Sequence, residues 1–123
     1  MKKLAAIILF FLPVILNAQV ITTIAGTRSS VFSGEGTPAT SAGIPCPGGG
    51  TFDKHGNYYF ADALNSHRIR KIGVDGTIIT VAGNGFGGFS ADSIPATNSR
   101  LYLPQAVRLD TVGNVYFQYY WKF

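Results

Sequence analysis

An all-β fold of short antiparallel strands is what this sequence predicts, and three observations predict it. The chain repeats itself at one fixed offset without gaps. Its apolar runs are short, rich in β-branched and aromatic residues, and bounded by turn pairs such as Asp75-Gly76 and Gly56-Asn57. Fifteen Gly and six Pro are scattered through 123 residues, and no apolar 3.6-residue period survives outside the N-terminal stretch. A hydrophobic content of 46% against 13% charged residues argues for one small folded domain rather than a disordered chain. A single Cys, Cys46, excludes an internal disulfide.

The first eighteen residues read as a signal peptide. Met1-Lys2-Lys3 gives a positive start, 4–16 is an apolar run interrupted only by Pro13, and Asn17-Ala18-Gln19 turns polar. A basic head, a short apolar stretch and a small residue at the cut form the secretory pattern. Cleavage is expected after Ala18, leaving a region that starts at Gln19. The apolar run falls short of the roughly 20 residues a spanning helix needs. An uncleaved anchor is the alternative, but no stable membrane insertion is expected once the leader is gone. The chain is therefore expected to be exported, to the periplasm, the cell surface or the medium, with a signal helix ahead of the all-β region. Removing Lys2 and Lys3 leaves eight basic residues against six acidic, a balance of +2. That is too small to imply nucleic acid as a partner.

Sliding the sequence against itself places Ile21-Thr22-Thr23-Ile24-Ala25-Gly26 over Ile78-Ile79-Thr80-Val81-Ala82-Gly83, an offset of 57. Phe32-Ser33 falls on Phe89-Ser90, Pro38-Ala39-Thr40 on Pro95-Ala96-Thr97, and Pro47 on Pro104. Asp53 falls on Asp110, and Gly56-Asn57-Tyr58-Tyr59-Phe60 on Gly113-Asn114-Val115-Tyr116-Phe117. Self-similarity over a few tens of residues marks a solenoid, a propeller or an array, and the long period implies an extended loop in each unit. Within the first unit, strands are expected at 49–53, 58–61, 68–72 and 78–82. A further strand is expected at 20–25, and two more at 105–109 and 114–118. Four short strands per repeat, with Gly and aromatic residues at fixed places, describe a propeller blade.

Pro47-Gly48, Asp53, Gly56-Asn57-Tyr58-Tyr59-Phe60-Ala61-Asp62 and Asn65, followed by Arg68-Ile69-Arg70-Lys71-Ile72, resemble the NHL repeat. Phe32-Ser33-Gly34-Glu35-Gly36 with Pro38-Ala39-Thr40 resembles the loop between blades in many secreted bacterial NHL proteins. The resemblance covers essentially all of 19–123. It implies a β-propeller, commonly of six blades, that binds proteins or other ligands through its open faces. Departures from the pattern are visible. Gly48-Gly49-Gly50-Thr51-Phe52 stands where the family has an apolar inner strand, which predicts lost packing there. Beyond Phe117 the expected motif is replaced by Gln118-Tyr119-Tyr120-Trp121-Lys122-Phe123.

The organisation expected is thus a signal peptide at 1–18 and a partial NHL-repeat region at 19–123. The region holds one complete blade at about 48–82 and part of another at about 105–123. The seven strands fall short of the roughly 16 of the smallest closed ring. An incomplete propeller, the product of truncating a longer protein, is the reading preferred. Assembly of several copies into a ring and a small free-standing sheet are the alternatives. Open blade edges would favour self-association. The alternating aromatics from Phe117 to Phe123 also resemble the last strand of an outer-membrane barrel, but no upstream strands match one.

Asp62, Asn65, His67 and Arg68 cluster at the exit of the second blade strand and are the candidates for binding. Carboxylate plus imidazole could hold Zn or Ca. The favoured reading is structural: Asp62 and Asn65 pin the turn, and Arg68 pairs with a carboxylate. Arg68, Arg70 and Lys71 read as the wet face of a strand. Glu35 and Asp92 place an acid at matching positions in both loops, fit for a cation or for turn geometry. The run 83–88 is rich in Gly but lacks the Lys-Ser/Thr and helix start of a phosphate loop. No Gly-x-Ser-x-Gly elbow exists, and Cys46 lies between Pro45 and Pro47 with no helix N-terminus and no adjacent cation to activate it. No catalytic, cofactor or metal residue is assigned. The function expected is a module of an exported propeller binding a protein or glycan. A metal-assisted lyase or lactonase-like enzyme and a non-functional truncated product are the alternatives.

Overall fold

The computed structural model describes residues 19–120, so the expected signal helix at 1–18 lies outside them. The described residues form seven strands: β1 (Thr37–Pro38), β2 (Pro47–Phe52), β3 (Tyr58–Asp62), β4 (Arg68–Ile72), β5 (Thr77–Ala82), β6 (Pro104–Leu109) and β7 (Val115–Tyr119). They make one mixed sheet in the order β1-β5-β4-β3-β2-β6-β7. Strands β2 to β5 form an antiparallel meander, and β6 and β7 start a second one. The two meet at a single parallel contact, Gly49 opposite Ala106. The fold is all-β and has the arrangement of an incomplete propeller: one four-stranded blade, and half of the next beside its inner strand.

Asp-centred turns set the strand lengths. Asp53 Oδ1 accepts the backbone N–H of His55 and Asn57, both at 2.9 Å, while Asn57 Nδ2 donates to Oδ2 at 2.7 Å. Gly56 takes the positive φ of 88° that closes this turn. Asp110 repeats the arrangement with Val112 and Asn114, at 3.0 and 2.8 Å, and Asn114 Nδ2 lies 2.6 Å from Oδ2. These bonds hold both carboxyls below the ordinary aspartate range against the opposing effect of desolvation. Between β4 and β5, Asp75 accepts the Thr77 N–H and hydroxyl at 3.0 and 2.8 Å.

The 57-residue offset is written into the backbone. Two straps, 26–46 and 83–103, each turn once through a 3₁₀ turn, at Ala39–Ser41 and Ala96–Asn98. Gly26 N–H donates to Ala39 O, and Gly83 N–H to Ala96 O, both at 2.9 Å. Thr27 to Ala42 at 3.0 Å is matched by Asn84 to Ser99 at 2.9 Å. Ser33 Oγ accepts the Gly43 N–H at 2.8 Å, and Ser90 Oγ accepts that of Arg100 at 2.7 Å. Gly36 and Ser93 share a left-handed φ, 69° and 68°.

Two expectations are corrected. Residues 20–25, matched to the outer strand by sequence, form no strand, because no described strand lies where β4 lies for β5. The glycines at 48–50 are not a loss of packing. A Cβ on Gly48 would collide with the Gln105 carbonyl oxygen, and one on Gly50 with the Tyr58 hydroxyl and Tyr59 carbonyl. The bare strand is what lets β2 lie against β6 and β3 at once.

The blade has two faces with separate cores. On the first face Phe60, Ile72 and Ile78 pack with Ala39 and Ala42 of the first strap, flanked by Ile44 and Tyr58. On the second, Ala61, Ile69 and Ala82 pack with Leu101 and Val107, flanked by Val115, Phe117 and Tyr119 of the next half-blade. Leu101 is the counterpart of Ile44, so both straps drive an aliphatic side chain against the blade. Among the described residues, the second face also has strands packed on it, whereas the first does not.

Candidate functional site

The β3–β4 connection, Ala63 to His67, is a tight turn in which Ser66 and His67 both donate backbone N–H groups to Ala63 O, at 3.3 and 2.8 Å. Asn65 and His67 adopt left-handed φ values of 61° and 49°. The turn therefore sends the four sequence-selected residues in different directions. Asp62 points inward, Asn65 into solvent, His67 towards the second strap, and Arg68 under the first.

Asp62 is fully buried, and its Oδ1 accepts the Cys46 N–H at 3.1 Å. Arg70, read from the sequence as part of a wet face, is fully buried too. Its Nη2 donates to Gly34 O at 3.2 Å and lies 3.8 Å from Glu35 Oε2, while its Nη1 lies 4.0 Å from Asp62 Oδ2. Arg70 Nε and Nη1, Asp62 Oδ2 and Ser66 Oγ make no hydrogen bond of full geometry. Burial pushes the Asp62 carboxyl up, against the nearby Ser66 hydroxyl, the Cys46 amide and the two arginines. Burial likewise lowers Arg70, against Glu35 and Asp62. The 4.0 Å pair joins β4 to β3 within the blade, while the Arg70 contacts to Glu35 and Gly34 and the Cys46 N–H on Asp62 tie the strap to it, so both charges are engaged inside the fold.

Among the described residues Arg68 makes no salt bridge to a carboxylate. Its Nη1 donates to Ser66 O at 2.9 Å and its Nη2 to Asn84 O at 3.1 Å. Its guanidinium lies 3.7 Å over the Phe32 ring, and that of Arg70 lies 4.5 Å from the same ring. Glu35, a candidate cation ligand by sequence, is engaged by the blade edge. Its carboxylate accepts the Thr80 N–H at 2.7 Å and the Thr80 hydroxyl at 2.8 Å. His67 Nδ1 accepts the Leu103 N–H at 3.3 Å, and its ring stacks on Tyr102 with centres 6.3 Å apart. Burial and then the neighbouring Arg68 lower its pKa, which keeps the acceptor nitrogen unprotonated. Among the described residues no group of three or more His, Cys, Asp or Glu side chains could hold a metal ion. No helix among them is long and apolar enough to cross a membrane.

What the arrangement does create is a groove of about 420 Å³ at the loop end of the blade. Residues 30–32 of the first strap form one wall, Asn65 and Arg68 the floor, and 84–86 of the second strap the other wall. The Phe86 ring is 68% exposed, and Asn84 Oδ1 holds the Phe86 N–H at 3.0 Å, fixing the loop that carries it. Asn65 and Arg68 thus meet, whereas Asp62 and His67 do not join them. Phe32, Asn84 and Phe86 were not assigned to a site from the sequence because they lie on two segments far from Asn65 and Arg68 along the chain. The repeat signalled Phe32 alone, since Phe32 and Phe89 mark the same strap position while Asn84 and Phe86 fall on Thr27 and Ser29. A second groove of about 380 Å³ on the first face, lined by Ile24, Ile44, Tyr58 and Phe60, is the uncovered flank of the core.

No family model matches the chain, and no curated protein does either. Among solved structures, the chain is similar to a structural genomics protein of unknown function from Bacteroides thetaiotaomicron VPI-5482. The TM-score is 0.65 at 25% identity, over 77% of this chain and 24% of that one. The chain therefore spans about a quarter of the length of the structure it matches. The likeness supports the all-β repeat architecture and carries no activity with it.

Proposed function

We propose that this chain is part of an exported propeller of the NHL type, and that it binds a protein or glycan ligand in the loop-end groove. The observation that carries this reading is the convergence of three loop segments on one exposed ring, Phe86, beside the Asn65 amide. An aromatic plate next to a planar polar group suits a sugar ring or a peptide side chain. The Arg68 guanidinium on the floor is held by two carbonyls and the Phe32 ring, so it shapes the groove. The NHL assignment is supported by the motif residues from Pro47 to Ile72 and by the three strands they contribute to a four-stranded blade. Export is supported by the order of charged, apolar and small residues at 1–18.

The test is an array of oligosaccharides and peptides probed with the full chain and with Phe86→Ala. Retention of one ligand class that drops roughly tenfold or more in the variant is expected, as for an aromatic anchor at the centre of a site. Retention that ignores Phe86→Ala, or no retention at all, overturns the site. N-terminal sequencing of the chain expressed in bacteria, with Gln19 as the first residue, is the outcome expected for export.

A further inference from the structure

The charge in the loop-end groove is one-sided. Arg68 is the single charged side chain among its described lining residues, and no carboxylate among them faces it. Two of the guanidinium N–H groups are used, by Ser66 O and Asn84 O, out of the five that an arginine carries. The Phe32 ring covers one face of the cation. Beside Nη1 and Nη2 stands Gly85, at a positive φ of 94°, where a Cβ would strike both nitrogens. The loop therefore passes close to the cation and puts no side chain over it.

The acids that act on Arg68 from a distance are committed elsewhere. Glu35 lines a neighbouring groove of about 340 Å³ and holds the Thr80 N–H and hydroxyl. Asp62 is buried and accepts the Cys46 N–H. A fixed, unpaired guanidinium at the floor of a groove favours a planar anion, and a carboxylate fits its fork.

The rest of the lining says what carries that carboxylate. Apart from Arg68 at the start of β4, every lining residue lies in a loop. No row of strand backbone is on offer to an extended peptide. Asn65 is exposed, and its side-chain amide makes no hydrogen bond among the described residues, so it can serve adjacent hydroxyls. The exposed Phe86 ring supplies the apolar plate.

Resting on the reading that this groove is the ligand site, we propose that its ligand is an acidic oligosaccharide. A uronate carboxylate accepts from the Arg68 guanidinium, the sugar hydroxyls meet Asn65, and a sugar face lies on Phe86. Charge complementarity with Arg68 sets the preference for the acid, and Phe86 holds acid and neutral sugars alike.

The probes are short oligomers of galacturonic, glucuronic and mannuronic acid, each paired with its methyl ester and titrated into the full chain. At least one acid should bind roughly tenfold or more tightly than its ester. Raising the salt to about 0.5 M should remove most of that preference and spare the ester. Arg68→Gln should bring the acid-to-ester ratio close to one, whereas Phe86→Ala should weaken both partners of a pair by a similar factor. Equal binding of acid and ester, lost together in Phe86→Ala, would overturn the acidic ligand and leave the groove standing as the site. Retention of neutral sugars or peptides alone, again through Phe86, would do the same. No retention of any probe would overturn both.

Discussion

The strap at 26–46 and the strap at 83–103 fold through the same hydrogen bonds at the same positions, and they end in different situations. In the first, Phe32 lies against two guanidinium groups and Glu35 grips the outer strand of the blade. Gly36 N–H donates to Ile78 O at 2.8 Å and Ala39 N–H to Gly76 O at 2.8 Å, so Thr37 and Pro38 join the sheet as β1. In the second, Asp92 faces solvent and residues 94 and 95, the counterparts of β1, are in no strand. Strap conformation is therefore local, set by the Gly, Ser and Pro-Ala-Thr positions within about twenty residues. Docking of the strap is not local. It needs β4 and β5 of the same blade, and it converts an exposed sheet edge into a covered one.

The sharpest way to break this difference is to remove what the first strap docks onto. Arg70→Ala leaves Asp62 buried beside Ser66 without its cation and takes away one of the two groups under Phe32. Orphaning one partner of a buried ion pair destabilises by roughly 3–5 kcal/mol, and the open 4.0 Å spacing places this pair at the lower end. Urea unfolding should show that loss. Hydrogen exchange at 33–36 should rise to the rate of 90–93, and unchanged protection there would refute the docking account.

Phe32→Ala against Phe89→Ala compares the straps directly. Phe32 loses two cation–π contacts and its packing, an effect of about 2 kcal/mol. Phe89 loses edge contacts with Tyr119 and a looser one with Tyr102, about 1 kcal/mol. Equal effects in denaturant melts would mean that the second strap is as firmly seated as the first. A smaller difference is expected for the acids. Glu35→Gln keeps one acceptor for Thr80 but drops the charge, costing about 1 kcal/mol. Asp92→Asn changes stability by less than about 0.5 kcal/mol, as for an exposed site with no side-chain hydrogen bond among the described residues.

The same contrast explains what the sequence could reveal. The strands expected at 58–61, 68–72 and 78–82, which form at 58–62, 68–72 and 77–82, and the turns at Gly56-Asn57 and Asp75-Gly76 were legible because their causes are local: β-branched and aromatic runs, and turn residues that take a positive φ. The burial of Arg70 was not, since Arg68-Ile69-Arg70-Lys71-Ile72 alternates like a half-wet strand and the ring covering it lies 38 residues upstream, at Phe32. The grip of Glu35 on Thr80 spans 45 residues and leaves no local trace. The glycines at 48–50 read as missing packing because the reason for them is a neighbouring backbone, that of Gln105 and Ala106. At the candidate site, Asn65 and Arg68 were found through the turn that carries them, and Phe86 was missed because only the tertiary fold brings its loop alongside.

The smallest effect tests how the second strap is held at all. With no outer strand to grip among the described residues, it leans on His67, whose Nδ1 accepts the Leu103 N–H where the chain takes a left-handed φ of 46°. Protonation removes that acceptor and adds a charge beside Arg68. The folded pKa lies below the ordinary histidine value of 6.5, so the unfolded chain binds more protons between the two values. The stability that the neutral ring contributes is therefore fully present above pH 6.5 and is lost as pH falls towards the folded pKa. Asp62 acts in the opposite sense: its raised pKa gives stability that is fully present below 3.8 and fades as pH rises through the folded value. Urea midpoints at pH 7.5 and 5.5 isolate His67 when the chain is compared with His67→Gln. The parent should lose stability on acidification and the variant should lose less. An identical slope in both would show that the second strap rests on Leu101 and the 3₁₀ turn alone.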